Sequence, residues 1–492
     1  MRLARQKACF TGLLLIPVFL AAQTTSGTPG VPGRSMSSDS TEDSSPAAAI
    51  SAAQQSNANA QNPFFGSLPH KLNLQQLSLK QALELGLQYN LGLFLAGQSQ
   101  RQVTGARLRA LSRLLPNITA GLSDSEQQVN LAALGFSGFP GVPQVLGPFN
   151  VFDVRGFLTQ RVLNFQEIFK YRASQESERA ARYTYQDARD LVVLAVGGLY
   201  LEAVASSARI DAVRAQLTTA QALYQQAVDM NRAGVAPGID VLRSQVEMQT
   251  QQQRLLVAEN DFRKQKLSVA RAIGLETGQS YTLTDRVPFV PLPLVSLEQE
   301  IGRALESRPD YQSAKLQAKA AEQAKRAARG ERLPTVDVDA NYGTIGPSPV
   351  TNHGTFVAEA AVNVPIFQGG KVRADVLQAD AVLQQRRAQV EDLRGRIEFD
   401  VRSAFLDLQS ASDQVAVAQS SVQLAGEQLT QARDRFAAGV ADTIEVVQAE
   451  EALATANENY INSVFAHNLA KLSLARAVGV AEKATMQYLG GR

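Results

Sequence analysis

The segment Ala-Arg-Ala-Ile-Gly at residues 270–274 returns 205 positions later as Ala-Arg-Ala-Val-Gly at 475–479. The same spacing carries Ala-Gly-Val at 233–235 onto Ala-Gly-Val at 438–440. Two copies of about 200 residues are far longer than the roughly 20–50 residues of a solenoid repeat, so the sequence predicts a duplicated architecture. The predicted repeat domains are 77–294 and 295–492, the second with a short C-terminal tail.

The first residues carry the pattern of an export signal. Arg2, Arg5 and Lys7 precede an apolar run over 10–22 that ends in small residues. This arrangement is typical of a cleaved signal peptide. The run is shorter than the roughly 20 apolar residues that span a bilayer. We therefore predict a signal peptide over 1–22.

The next segment, 23–76, is rich in Ser, Gln, Ala, Pro and Gly and has almost no periodic apolar residues. Such a composition buries too little apolar surface to fold, so we predict a disordered leader. Beyond residue 76 we expect no apolar run that approaches a transmembrane helix. Any insertion into a membrane is then expected to use a β-barrel.

Composition excludes several classes of function. A net charge of +2 and a charged fraction of 19% give no electrostatic footprint for nucleic acid. The histidines His70, His353 and His467 are scattered, and the one cysteine, Cys9, lies in the predicted signal peptide. No metal site of ordinary ligand spacing is visible, and no nucleophile–base spacing or phosphate-binding loop stands out. We predict neither an enzyme nor a cofactor.

Two proline-free stretches, 167–232 and 371–437, are dominated by helix-forming residues. At about 1.5 Å per residue each forms a rod about 100 Å long. Apolar residues recur along them at alternating steps of three and four, which is the spacing of coiled coils. Gly234 and Gly439 follow the rods, as expected for left-handed helix caps. Each repeat is therefore predicted to contain a long helical hairpin.

One helix and two strands precede each rod. The predicted helices cover 79–114 and 297–332 and stop before Pro116 and Pro334, because proline cannot continue a helix. After Pro334 the apolar period becomes two, which is typical of a strand with one apolar face. The second-repeat positions that we predict to face lipid are Val336, Val338, Tyr342, Phe356, Val362 and Val364. The first repeat alternates similarly at Ile118, Ala120, Leu122, Phe152, Val154 and Leu158.

Strands of this kind suit the wall of a membrane β-barrel, although a half-buried hairpin in a soluble protein shows the same alternation. Four strands cannot close a barrel, and open edges cannot face lipid, so self-association is required. Three copies give twelve strands. The predicted fold class is an α+β membrane protein, mostly long coiled-coil helices, with four strands per chain in a trimeric 12-stranded β-barrel. The alternative is a periplasmic coiled-coil scaffold or adaptor that forms no channel.

The sequence resembles the TolC family of outer-membrane efflux channels over residues 77–479. The resemblance rests on Val-Pro-Ile-Phe-Gln-Gly-Gly-Lys at 364–371, where a strand turns into a rod, and on the segment 435–449 with its counterpart 231–242. It implies a trimeric outer-membrane barrel continued by a periplasmic α-barrel. The implied function is a passive exit duct of a tripartite efflux or type I secretion system.

The resemblance also implies partners. They are two further copies of the chain, a periplasmic adaptor protein, an inner-membrane pump of RND or ABC type, and outer-membrane lipid. The channel is expected to open when the ends of the helical hairpins move outward. The expected adaptor-docking residues are Arg232, Gly234, Val235, Arg435, Gly439 and Val440. Drugs, metals and proteins all leave through such ducts, so the resemblance does not name the cargo.

For the pore gate, the resemblance implies an acidic ring at Glu445, with Asp240 in the matching place of the first repeat. Three symmetry-related carboxylates around a narrow pore attract cations. A second acidic ring would fall at Gln448, so the cation filter is expected to be weaker here. Ala441 stands where some members carry an arginine that ties the closed gate. From the residues alone, Glu445 can equally be interpreted as an ordinary solvated carboxylate in the first turn of a helix, where the helix dipole favours a negative charge.

Overall fold

The computed structural model describes residues 62–71, 74–133, 141, 143–276, 278–286, 289–291 and 296–489. The predicted signal peptide and residues 23–61 of the predicted leader lie outside the described residues. Within the described ranges the chain is mostly helical, with a four-stranded sheet and a small two-stranded sheet.

The four-stranded sheet combines the strands of both repeats. Its members are β2 (Asn117–Asn130), β3 (Val145–Leu163), β5 (Thr335–Gly346) and β6 (His353–Asn363). The spatial order is β2-β3-β5-β6, and all neighbours are antiparallel. A parallel pair joins β1 (Gln76–Leu77) to β4 (Thr282–Leu283). Because β3 pairs with β5, the two repeats share one sheet.

Two long helices follow the strands, as predicted. They are α3 (Phe165–Arg232) and α7 (Lys371–Ala437), with 68 and 67 residues. The chain turns back through Gly234 and Gly439, each with φ of +71°. The return helices are α4 (Gly238–Ile273) and α8 (Thr443–Val478). The prediction of two long helical hairpins with left-handed glycine caps is confirmed.

The predicted helices before the strands are each broken once, so the prediction of continuous helices was wrong. The first is α1 (Leu79–Tyr89) and α2 (Leu91–Ser112), and the second is α5 (Leu297–Ser307) and α6 (Pro309–Gly330). Asn90 is extended, and its Oδ1 accepts a hydrogen bond from the Gly92 N–H at 2.9 Å, which caps α2. Arg308 is extended because proline follows it.

The two breaks contact the ends of the return helices in the same way. Nδ2 of Asn90 donates to the carbonyl of Ala272 at 3.4 Å. Nη1 of Arg308 donates to the carbonyl of Ala477 at 3.5 Å. The two alanines are 205 positions apart, so the duplication preserves this contact although the side chains differ.

The main core lies where α3 meets the shorter helices and both return helices. Its fully buried members include Val192, Val196, Tyr200, Ile273 and Leu472. Helix α3 also contains a stretch that is long and apolar enough to cross a membrane by length and composition, and 50% of it is buried. The expectation that no such run exists beyond residue 76 was therefore wrong. The buried half of this stretch belongs to the main core.

The end of the predicted leader packs on this core. Pro63–Phe65 forms a 3₁₀ turn, and Phe64 contacts the core. The Ser67 hydroxyl donates to the carbonyl of Arg271, and the rings of His70 and Tyr89 stack at 4.5 Å between centroids. The prediction of disorder over 23–76 was wrong for the described residues from 62 onward. The disorder prediction used the average composition of the segment, to which these few packed side chains contribute little.

Candidate functional site

The strand register places the predicted lipid-facing residues on one face of the sheet. Residues directly opposite each other in neighbouring strands share a face. Val336 lies opposite Val362, and Tyr342 lies opposite Phe356. The first repeat joins the same face through the pairing of β3 with β5. We call this face the apolar band, and its larger members are Ile118, Leu122, Val154, Leu158, Val336, Val338, Tyr342, Phe356 and Val362.

The apolar band is strongly exposed in the single chain. Ile118, Leu122, Tyr342, Phe356 and Val362 are between 65% and 77% exposed. Soluble monomers rarely expose contiguous apolar surfaces of this kind, which are common where a protein meets a membrane or a partner. The predicted Val364 is also exposed, but it lies one residue beyond the end of β6. The band therefore needs a covering of lipid or protein.

The opposite face of the sheet is polar. Nε of Arg155 donates to Oδ1 of Asp153 at 2.7 Å. Nε of Arg161 lies 4.0 Å from Oδ1 of Asp337, and Nδ2 of Asn363 donates to Oδ2 of Asp337 at 3.1 Å. An apolar face and a charged face on alternate residues of the same strands are expected for a wall between lipid and a water-filled lumen.

Both edges of the sheet are open within the described residues. β2 pairs only with β3, and β6 pairs only with β5. Each edge strand therefore presents a row of backbone N–H and C=O groups that can pair with a further strand. Burying an unpaired edge in lipid costs several kcal/mol for each group left unsatisfied, by the order of magnitude known for backbone polar groups in hydrocarbon.

The two repeats pass from strand to rod differently. Gly369 and Gly370 have φ of +57° and +83°, values that glycine adopts without strain. The first repeat uses Asn164 instead, whose Oδ1 accepts from the Glu167 N–H at 3.0 Å. This cap explains how the first repeat enters its helix without the glycine pair.

The ends of the helical hairpins, residues 233–237 and 438–442, are called the tips. The Val235 N–H donates to the carbonyl of Met230 at 2.9 Å, and the Val440 N–H donates to that of Arg435 at 3.0 Å. Val235 and Val440 are both exposed, so the two tips repeat one backbone geometry. All six predicted docking residues are exposed and lie in the tips or in the last helical turn before them: Arg232, Gly234, Val235, Arg435, Gly439 and Val440.

The predicted gate residues occupy different environments. Glu445 is half-buried, and its Oε1 lies 2.9 Å from Nε of Arg435. Gln448 is exposed. Asp240 is only 5% exposed and lies 3.4 Å from Nη1 of Arg243. Asp240 therefore differs from Glu445, because its carboxylate points into the hairpin packing.

The sequence reasoning missed Glu450, a buried carboxyl near the tips. Position 450 belongs to the apolar spacing of α8, between buried Val446 and half-buried Leu453. A charged residue inside a coiled-coil apolar pattern is the signal that could have revealed it.

With this geometry established, the chain can be compared with known proteins. The family model described as "Outer membrane efflux protein" matches residues 301–480. The toluene efflux pump outer membrane protein TtgC of Pseudomonas putida is 23% identical over 388 residues, which cover 74% of this chain and 75% of TtgC. The match to the family model lies in the second repeat, and together with TtgC it confirms the predicted resemblance to outer-membrane efflux proteins.

Solved structures show the same fold. The outer membrane channel CmeC of Campylobacter jejuni superposes with a TM-score of 0.71 and 18% identity, over 85% of this chain and 92% of CmeC. The outer membrane protein VceC of Vibrio cholerae superposes with a TM-score of 0.69 and 20% identity, over 82% and 96% of the two chains.

Similarity to outer membrane efflux proteins accounts for the apolar band and for the long helical hairpins. The protein is an outer-membrane efflux channel with a long periplasmic helical extension. The apolar band suits the membrane, and the two rods are long enough for the extension. The family is one of channels rather than of enzymes.

Proposed function

We propose that the protein is the passive exit duct of a tripartite efflux or type I secretion system. Three copies form a 12-stranded barrel in the outer membrane and a helical barrel in the periplasm. An inner-membrane pump of RND or ABC type supplies the energy, and a periplasmic adaptor connects it to the tips. The observation that carries this proposal is an exposed apolar band on an edge-open sheet that continues into long helical hairpins.

Two further apolar stripes support self-association. Phe399, Leu406, Val417 and Leu424 of α7 follow one another at steps of seven or eleven residues, and all are exposed. Ile239, Val246 and Val257 of α4 show the same steps and exposure. Such steps keep side chains on one face of a helix, as in helical supercoils. We infer that a second copy of the chain covers these stripes when the helices form a barrel.

The alternative of a periplasmic scaffold does not account for the apolar band, because a scaffold has no surface in lipid. Bilayer recordings with purified protein separate the two functions. A duct gives stepwise ion conductance that scales with the amount of inserted protein. A scaffold gives no conductance above that of the detergent control, and this result would exclude the duct.

The ion pair at the second tip leads to a prediction about selectivity. Replacing Glu445 by glutamine removes one negative charge per chain from the proposed ring, so we expect a lower preference for cations over anions. Arg435→Gln removes the positive charge that pairs with Glu445. The preference for cations over anions should therefore rise in this variant. Reversal potentials measured in a salt gradient check both changes. Equal reversal potentials for the wild type and both variants would show that Glu445 does not form the proposed acidic ring.

A further inference from the structure

A buried polar cluster lies where the return helices of the two hairpins meet near the tips. Its centre is Glu450 of α8, which is 5% exposed. The nearest cation is Arg433 of α7, whose Nη2 lies 3.6 Å from Oε1 of Glu450. This distance is too long for a hydrogen bond, and Oε1 of Glu450 has no hydrogen-bond partner among the described residues. A buried carboxylate in this position lacks the donors that its charge requires.

Helix α4 contributes Glu247 and Gln251 to the cluster. Gln251 is 1% exposed, and its Nε2 donates to Oε1 of Glu247 at 2.7 Å. Its own Oε1 has no hydrogen-bond partner in the described part of the chain. The two unsatisfied atoms, on Glu450 and Gln251, are therefore both acceptors when Glu450 is ionised. Each of these buried acceptors lacks a donor among the described residues.

The two charged neighbours of Glu450 act on its pKa in opposite directions, and burial has the largest effect. Burial raises the pKa of Glu450 to about 7, and the nearby Glu247 raises it as well, whereas Arg433 lowers it. The adjoining part of α3 supplies the apolar Leu223. The next residue, Glu451, points to the rim, where its oxygens lie 3.0 and 3.1 Å from the two Nη atoms of Arg254 of α4. The cluster therefore spans α4, α7 and α8 and is closed at its rim by an ion pair.

We propose that this cluster is a proton-operated clasp between the two hairpins, in which a proton on Glu450 keeps α4 and α8 packed and its loss lets them separate. The link from this clasp to channel opening rests on the proposed function, in which outward movement of the tips opens the duct. Protonation of Glu450 removes its repulsion from Glu247 and the cost of burying an unsatisfied charge. Ionised Glu450 is better solvated when the helices part.

The direction of the pH dependence follows from linkage. The pKa of Glu450 is higher in the packed arrangement, about 7, than in a water-exposed one, where glutamate has a pKa of about 4.3. The stabilisation is then fully present below the exposed value and is lost as the pH rises through the packed value. The ratio of packed to separated hairpins should fall by roughly two orders of magnitude across this range. Acid is expected to close the tips, and neutral to alkaline pH to loosen them.

Spin labels at the tips test the clasp directly. The one native cysteine is Cys9 in the predicted signal peptide, so Val440→Cys provides a single labelling site on an exposed residue. Distances between the labels of assembled channels are measured by pulsed electron resonance from pH 5 to pH 8. We expect the distances to lengthen as the pH rises, with a midpoint between the exposed pKa of about 4.3 and the packed pKa of about 7.

Three variants identify the titrating group. In Glu450→Gln the short distances should persist at every pH, because the neutral amide cannot ionise. In Glu247→Gln the midpoint should move to lower pH, because a repelling carboxylate is gone. Glu427→Gln changes an exposed carboxylate that pairs with Gln423, and its midpoint should match that of the wild type. Constant distances in the wild type, or an unchanged midpoint in both Glu450→Gln and Glu247→Gln, would overturn the clasp.

Conductance of the same preparations separates this inference from the proposed function. If the distances follow pH while conductance stays constant, the clasp stands and gating by tip movement is wrong. If the protein conducts but the distances do not change with pH, the duct stands and the clasp is wrong.

Discussion

Replacing Phe356 by arginine is expected to abolish assembly of the protein in the outer membrane. Phe356 is exposed on the apolar band, directly opposite Tyr342. An arginine facing lipid near the middle of a bilayer costs about 2–4 kcal/mol in a membrane β-barrel, and less towards the interfaces. Three copies per barrel multiply this cost. The amount of assembled protein in isolated outer-membrane fractions, measured against the wild type, checks the prediction.

Val357→Arg is the matched control because Val357 is the next residue on the same strand. It lies opposite Asn341, on the polar face of the sheet, where an arginine can meet water. We expect this variant to assemble at close to the wild-type level. Equal assembly of Phe356→Arg and Val357→Arg would show that the apolar band does not face lipid.

The second large effect is expected at Arg308, the residue at the break between α5 and α6. Its guanidinium donates to Asp310 at 2.7 Å and to Asp400 of α7 at 2.9 Å, and the residue is 5% exposed. Arg308→Ala leaves two carboxylates without their cation. Breaking a buried ion pair in this way costs about 3–5 kcal/mol. The denaturation midpoint in urea, followed by circular dichroism in detergent, should fall clearly.

Arg402→Ala provides the comparison for this experiment. Arg402 pairs with Glu398 at 2.8 Å within one helix, and about half of each side chain is exposed. Exposed pairs of this spacing contribute about 0.3–0.5 kcal/mol, so the midpoint should hardly move. Similar midpoints for Arg308→Ala and Arg402→Ala would mean that the Arg308 contacts do not stabilise the fold.

The long helices were predictable because their signal is repeated over many turns. The predicted rod over 371–437 coincides with α7, and the glycines at 234 and 439 end their helices as expected. The breaks at Asn90 and Arg308 were not predicted, because one extended residue hardly changes the composition of a helix of over thirty residues. The ordered segment around Phe64 was also not predicted. Its contacts are with distant parts of the chain, which the local sequence pattern does not reveal.

In the candidate site, too, features set by the local sequence pattern were predictable, whereas features set by helix packing were not. Strand alternation predicted the apolar band, and the register places Val336, Val338, Tyr342, Phe356 and Val362 on one face. The partners of Glu445 and Glu450 depend on how helices pack, which a single helical pattern does not specify. Asp240 and Glu445 occupy equivalent positions in the two repeats, yet only Asp240 is buried.

Central to the account is the claim that three chains share one barrel, since four strands leave both edges of the sheet open. Light scattering, corrected for bound detergent, gives the molar mass of the protein extracted from outer-membrane fractions. We predict three times the mass of the processed chain. A stable monomer with four strands and full solubility without detergent would contradict the shared barrel.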